Sequence, residues 1–289
     1  MRVAVTGAGG QLGAALVHEF RSAGHDVTAL PRRDLDIGDD RAVAAAMDRA
    51  RPELIVNAAA WTDVDAAEDD PLGALTTNAF GVRALARAAR VHGAALVHYS
   101  TDFVFDGTVD RPYVETDRPN PRSVYATSKL LGEWFAGDAP RAYVLRVESL
   151  FGGVPEGPPA RGSVATIVKA LRRGEAPRVF VDRTVSPTYV PDAARATRQL
   201  VEMNAAPGLY HCVNSGSCTW SDFARALVRE MGISATFTEL RFAETTMRAP
   251  RPQYCALSNA TLQSLRIAMP SWQDALARFV AAIRTCDGS

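Results

Sequence analysis

Arg2-Val-Ala-Val-Thr6-Gly7-Ala8-Gly9-Gly10-Gln11-Leu12-Gly13 opens the chain, and its reading decides the fold. Residues 2–6 form a short apolar run that reads as a strand. From Ala14 to about Ser22 the chain is Ala-rich, and Leu12, Leu16, Val17 and Phe20 recur at helical spacing. The glycines of the intervening turn each have a physical reason. Gly7 permits a tight turn, Gly10 lets backbone N–H groups approach a pyrophosphate, and Gly13 packs helix against strand. The helix N-terminus adds free donors and the positive end of its dipole. Gly7, Gly9, Gly10, Gln11, Leu12 and Gly13 are therefore expected around a dinucleotide, with a purely structural turn as the alternative.

Working outward, a second strand (26–30) runs into Pro31-Arg32-Arg33-Asp34-Leu35-Asp36-Ile37. NAD-binding folds usually put a carboxylate at this strand end for the ribose 2′-OH. Here two arginines follow the strand, and guanidinium pairs well with a 2′-phosphate, so the pattern favours NADPH, with NADH possible. Two solvated loop arginines are the alternative. Asp36 and Ile37 are expected as a wall for the adenine. A helix (40–50) and a third strand (53–56) lead to Ala58, Ala59 and Ala60, small enough to let backbone pass close to the ribose and phosphate. Asp70-Pro71 caps a long helix. A fourth strand (95–99) enters Ser100-Thr101, placing Thr101 beyond a strand's carboxyl end, where ligands of open parallel sheets sit.

Pro119-Asn-Pro121 precedes a helical run through Val124, Leu130, Leu131, Trp134 and Phe135. Tyr125 and Lys129 are four apart on it and so share a face. A phenol beside an ammonium is expected to have a lowered pKa and to serve as a proton donor near neutral pH. The alternative is a half-buried tyrosine beside a solvated lysine. A strand (142–147) closes the alternation, which predicts a doubly wound parallel α/β sheet of the Rossmann kind. Beyond Leu150 the chain changes character, with a loop at 152–159 and helices near 163–173, 191, 219 and 271. Residues 1–150 with 163–203 are expected to form the cofactor domain, and 151–162 with 204–289 a smaller substrate-binding lobe.

Composition limits the function classes. The 289 residues carry 32 basic and 32 acidic side chains, which asks for neither nucleic acid nor an anionic membrane. No apolar run reaches the roughly 20 residues of a membrane span, and no cleavable signal precedes Val3, so a cytoplasmic protein is expected. Cys212, Cys218, Cys255 and Cys286 show no zinc spacing. Cys212 and Cys218 could pair, although so few cysteines fit a reducing compartment better.

Several motifs agree with one family. Thr6–Gly13 resembles the cofactor loop of extended short-chain dehydrogenases. Asn57-Ala-Ala-Ala-Trp-Thr-Asp-Val-Asp-Ala-Ala-Glu68, Ser100-Thr-Asp-Phe-Val-Phe-Asp-Gly107, Ser186-Pro-Thr188, Gly208-Leu-Tyr-His211 and Leu257-Ser-Asn259 look like the dTDP-4-dehydrorhamnose reductases. The resemblance runs nearly the whole length. It implies reduction of the C4 keto group of a nucleotide-linked 4-keto-6-deoxy sugar, with Thr101, Tyr125 and Lys129 as the catalytic set. Tyr125 would protonate the oxygen, Thr101 would hydrogen-bond it, and Lys129 would hold the nicotinamide ribose. Thr62, Asp102, Phe103, Val104, Ser149, Ser186, Trp220 and Arg251 are the implied substrate contacts, and the protein is expected as a monomer or homodimer.

Two departures stand out. Many members carry Thr-Ser-Trp where this chain has Arg146-Val-Glu-Ser-Leu-Phe151, so an aromatic near the sugar is missing. Ala15 stands where some relatives have a magnesium-binding Glu, so no metal is expected. Two other readings share much of this sequence. One is a nucleotide-sugar epimerase or dehydratase, against which Asp102-Phe103 argues, since dehydratases pair Asp-Glu there. The other is a non-catalytic, NADP-binding regulatory subunit of a methionine adenosyltransferase.

Overall fold

The computed structural model describes residues 1–155 and 157–287. Alternation of β1 (Arg2–Thr6), α1 (Gln11–Ser22), β2 (Asp26–Leu30), α2 (Asp40–Ala50) and β3 (Leu54–Asn57) builds the first half of the sheet. Two short helices, α3 (Val64–Asp69) and α4 (Pro71–Leu75), lead through a π turn at Thr76–Phe80 into α5 (Gly81–His92). Then come β4 (Ala95–Thr101), α6 (Val124–Ala136) and β5 (Arg141–Val147). β4 is buried along its whole length, as a central parallel strand covered on both faces must be.

The rest of the chain is built of smaller pieces. β6 (Leu150–Phe151), α7 (Ser163–Arg172), β7 (Arg178–Phe180), β8 (Thr184–Val185) and β9 (Thr188–Tyr189) precede α8 (Val190–Glu202) and β10 (Gly208–His211). β11 (Cys218–Thr219), α9 (Trp220–Met231), β12 (Thr238–Leu240), α10 (Ala260–Ser264) and α11 (Trp272–Asp287) follow. Thr219 caps α9 in a capping box with Asp222.

The main sheet is six-stranded and parallel, in the order β10-β5-β4-β3-β1-β2. The expected doubly wound α/β fold is present. The strand order reverses between β1 and β3, which opens the crevice where such sheets bind ligands. α1 and α8 cover one face in an apolar core with Leu16, Phe20, Val190 and Leu200. α2 and α5 cover the other, with Val43, Met47, Val82 and Leu85.

The expected division of the chain needs correction on both sides: β7, β8 and β9 join the second core through Val179, Val185 and Tyr189, and α10 joins the first through Leu262. α7 does not belong with the cofactor domain, because Val164, Ile167 and Leu171 bury in a second core with Phe223 of α9 and Phe279 of α11. Residues 208–211 do not belong to the smaller lobe, because β10 is the sheet's edge strand, paired in register with Tyr143–Arg146. The two bodies are thus interleaved in sequence. Asp192 of α8 ties them: fully buried, it accepts from Arg195, Asn214 and, through both terminal nitrogens, Arg278 of α11. Cys212 and Cys218 are separate buried thiols and form no disulfide. Among the described residues no helix is long and apolar enough to cross a membrane.

Candidate active site

Two cavities of about 480 and 350 Å³ adjoin at the β1–β3 reversal, sharing Gly9, Gly10, Ala58, Ala59, Ala60 and Thr62 in their walls. Their floor is set by backbone packing that leaves no room for side chains. Gly7 has φ +66°, and a Cβ there would lie 2.5 Å from the amide nitrogen of Ala59. At Gly13 a Cβ would come within 2.1 Å of the carbonyl oxygen of Gly7, so α1 starts directly against the turn. Asn57 locks the tips of three strands beneath this floor. Its Oδ1 accepts from Thr6 Oγ1 at 2.7 Å and from the Ala59 amide at 3.1 Å, and its Nδ2 lies 3.1 Å from His98 Nδ1.

The larger cavity carries Arg32, Leu35, Asp36 and Ile37 on its outer wall. Arg33 is turned away. Its side chain is 85% exposed, with Nε 3.8 Å from Asp34 Oδ1, and it lines neither cavity. The expected pair of arginines is therefore one arginine, Arg32. A glycine-floored groove at a helix N-terminus, with one arginine at the second strand's end, fits the pyrophosphate and 2′-phosphate of a dinucleotide.

The smaller cavity lies on the Tyr125 side of the glycine floor. Gln11, Leu12, Tyr125 and Lys129 line it together, so the helical spacing does bring phenol and ammonium to one face. The electrostatics differ from expectation. Lys129 Nζ donates to the Tyr99 carbonyl at 2.5 Å, and burial brings the ammonium down to about 8. Tyr125 is pushed up to about 12, first by burial, against a hydrogen bond with Thr101 and with further help from the Asp102 charge. The ammonium is not what tunes this phenol; the dry pocket is.

Thr101, buried at the end of β4, receives the Phe103 amide at 3.2 Å and donates from Oγ1 to Asp102 Oδ1 at 3.0 Å. Phe103 meets the Tyr125 ring edge-on at 5.8 Å between centroids. Of the implied substrate contacts, Thr62 lines both cavities. Asp102 is buried beside Thr101. Ser149 holds a left-handed backbone, φ +45°, and its carbonyl accepts from the Thr188 amide at 3.3 Å.

Four implied contacts are placed elsewhere. Val104 packs in a small core with Phe105, Tyr113, Val213 and Leu257. Trp220 is the first residue of α9 and belongs to the second core, where an indole so near a helix start is held by apolar neighbours. Ser186 is fully buried and bonds the backbone of Leu257. Arg251 spends its guanidinium on a two-pronged pair with Asp65 of α3, at 3.0 and 2.8 Å.

Residues the sequence did not single out complete the walls. Tyr99 and Ser100 of β4 line the smaller cavity, Thr77 reaches the larger one from the π turn, and Arg161 lines both. Arg161 is held there by its amide, which donates to Gln11 Oε1 at 3.1 Å, while Gln11 Nε2 donates to the Gly152 carbonyl. No local pattern announces Arg161. It sits in a Pro/Gly loop whose path is set by that glutamine.

The RmlD substrate binding domain family matches residues 1–285. A spore coat polysaccharide biosynthesis protein of Bacillus subtilis, SpsK, is 34% identical over 96% of both chains. A dTDP-4-dehydrorhamnose reductase of Mycolicibacterium smegmatis is 36% identical, covering 99% of this chain and 88% of that one. Among solved structures, the dTDP-4-dehydrorhamnose reductase of Bacillus anthracis in complex with NADP superposes with a TM-score of 0.90 at 32% identity. It covers 97% of this chain and 99% of its own.

Proposed function

This chain belongs to the dTDP-4-dehydrorhamnose reductase family, oxidoreductases acting on CH–OH groups, and from that premise we propose that it reduces the C4 keto group of a dTDP-linked 4-keto-6-deoxy sugar with NADPH. The observation that carries the reading is that Tyr125 and Lys129 line the cavity over the glycine floor, with Thr101 hydrogen-bonded to Tyr125. NADPH bound there supplies hydride to C4. Every other requirement falls to this chain. Tyr125, at about 12, keeps its proton at neutral pH and yields it only to a base as strong as the alkoxide that hydride addition creates. Thr101 steadies that oxygen alongside the phenol. Lys129 brings a positive charge for the ribose hydroxyls, and Arg32 one for the 2′-phosphate. Thr62, Asp102, Phe103 and Ser149 remain the proposed sugar-side contacts. A cytoplasmic monomer or homodimer completes the reading.

The test is NADPH oxidation by the purified protein with dTDP-4-dehydrorhamnose, followed at the nicotinamide absorbance band. Turnover is the expected result, and Tyr125→Phe should lose about 10²–10⁴-fold in rate while binding NADPH as the parent does. NADPH binding without turnover on any 4-keto sugar nucleotide would sink the reductase reading and favour a regulatory, cofactor-binding role.

A further inference from the structure

A dinucleotide with its adenine half in the larger cavity and its nicotinamide half in the smaller one lays its pyrophosphate across the walls they share. Those walls are otherwise neutral, made by Gly9, Gly10, Ala58, Ala59, Ala60 and Thr62. Arg161 is the one charged residue, among those described, that lines both cavities. The other cations stand at the two ends, Arg32 in the larger cavity and Lys129 in the smaller. Among the described residues the Arg161 amide is bonded, to Gln11, while its guanidinium has no carboxylate or carbonyl partner. Arg251 and Arg278, by contrast, are spent on Asp65 and Asp192.

The chain brings this arginine to the groove from the other body. Arg161 stands just before α7, whose Val164, Ile167 and Leu171 are anchored in the second core. Pro158 and Pro159 line the smaller cavity and fix the backbone ahead of it, and Gly162, at φ +86°, turns the chain away into α7. Gln11, the first residue of α1, uses both ends of its side-chain amide on this segment. Its Nε2 donates to the Gly152 carbonyl, and its Oε1 accepts from the Arg161 amide at 3.1 Å. Between these two points Gly157 passes over α1, where a Cβ would lie 3.6 Å from Ala14 Cβ. One glutamine therefore holds the segment over the N-terminus of α1, with the arginine already placed and less of its freedom left to lose on binding.

We propose that Arg161 is the clamp for the pyrophosphate of the bound dinucleotide, and that Gln11 is the positioning residue that holds the clamp in place. The inference rests on the dinucleotide reading of the groove given above. The glycine turn and the start of α1 offer the pyrophosphate backbone donors and a positive dipole end. Arg161 adds the full charge that the shared walls lack, on a planar fork suited to phosphate oxygens. Arg32 and Arg161 thus divide the work. Arg32 meets a group that only NADPH carries, so it discriminates, whereas Arg161 meets one that NADPH and NADH share, so it adds affinity without preference.

Equilibrium binding to the full chain tests this without turnover, with four probes: NADPH, NADH, ADP and adenosine 2′-monophosphate. Arg161→Ala is expected to weaken NADPH, NADH and ADP alike, by about tenfold or more, because all three carry a pyrophosphate. Adenosine 2′-monophosphate has none and should bind the variant as it binds the parent. Arg161→Lys, which keeps the charge and loses the fork, should recover part of the loss. Gln11→Ala should weaken the same three probes and spare the fourth. Combined with Arg161→Ala it should add nothing further, since a positioning residue acts through the group it positions. Parent-like affinity of Arg161→Ala for NADPH and ADP would overturn the proposal. So would an equal loss for adenosine 2′-monophosphate, which would mean a disturbed groove, or additive losses from the two substitutions. A parent that binds NADPH and reduces no 4-keto sugar nucleotide would sink the reductase reading alone, because these binding ratios stand without any chemistry.

Discussion

Arg32 and Arg33 are neighbours in sequence with opposite surroundings: one forms the wall of the dinucleotide groove, the other faces Asp34 in solvent. A charge-assisted contact to a phosphate is worth roughly 1.5–3 kcal/mol, or about ten- to a hundredfold. Arg32→Ala should therefore raise the KM for NADPH at least about tenfold and leave that for NADH nearly unchanged, whereas Arg33→Ala should alter neither by more than about twofold. Steady-state kinetics with both cofactors decides it, and equal effects of the two substitutions would return the arginines to surface charge. The sequence could show that a phosphate-binding charge followed β2; it could not show which of two adjacent side chains turned inward. Lys129 gives a pH dependence whose sign can be worked out. Its value in the folded protein, about 8, lies below the ordinary 10.5, so the unfolded chain holds this proton more tightly. Burial of the ammonium costs stability below pH 8, and that cost fades between 8 and 10.5. Cofactor affinity should run the other way: with the charge lost above pH 8, NADPH binding weakens. Fluorescence titrations near pH 7 and pH 9 should show the dissociation constant rising in the parent and unaffected in Lys129→Ala. A parent with the same affinity at both values would mean that the ammonium does not hold the cofactor.

Between α4 and α5 the helix carries an extra residue per turn at Thr76–Phe80, and α6 crosses there at backbone distance. Asn78 is the reason. Its side chain holds the Trp61 amide at 2.9 Å, the Trp61 carbonyl at 3.0 Å and Ser128 Oγ of α6 at 3.0 Å, while Gly132 passes over its carbonyl. The apolar spacing of this stretch predicts one uninterrupted helix. Ala74 of α4 and Val82 of α5 are both buried across the bulge, so periodicity is blind to it. The helix of Tyr125 and Lys129, by contrast, was legible because its proline lead-in and apolar stripe are local properties. At Gly132 a Cβ would lie 2.2 Å from the Asn78 carbonyl oxygen, a backbone atom that cannot swing aside. Gly132→Ala should thus destabilise the protein by about 1–3 kcal/mol, despite the roughly 1 kcal/mol by which alanine favours a helix. Denaturant unfolding measures it, and a variant as stable as the parent would mean that the two helices have room to part.

Across the whole molecule, sequence pattern identified most elements and misassigned several of them to bodies, α7 and β10 among them, because a helical or extended period says how a segment coils and not what it packs on. α7 carries the same alternation of apolar and charged residues as α8, yet α7 joins Phe223 and Phe279 while α8 lies on α1. The parallel sheet is finished by β10, and its α1 face is covered by α8, both encoded after the first third of the second body. A chain ended at residue 150 would leave β5 as a bare edge and expose the apolar surface that Val190, Leu200 and Tyr210 normally cover. It should behave as a loosely packed species that binds the dye ANS, whereas the full chain should unfold in one cooperative transition seen alike by near- and far-ultraviolet circular dichroism. A rigid, dye-free fragment would show the interleaving to be dispensable. On the ribosome the same topology sets a timetable. The nascent sheet emerges unfinished, waits beside its own exit tunnel with an open edge, and can close only after His211 is clear, so this protein is committed to folding late in its own translation and must be shielded until then.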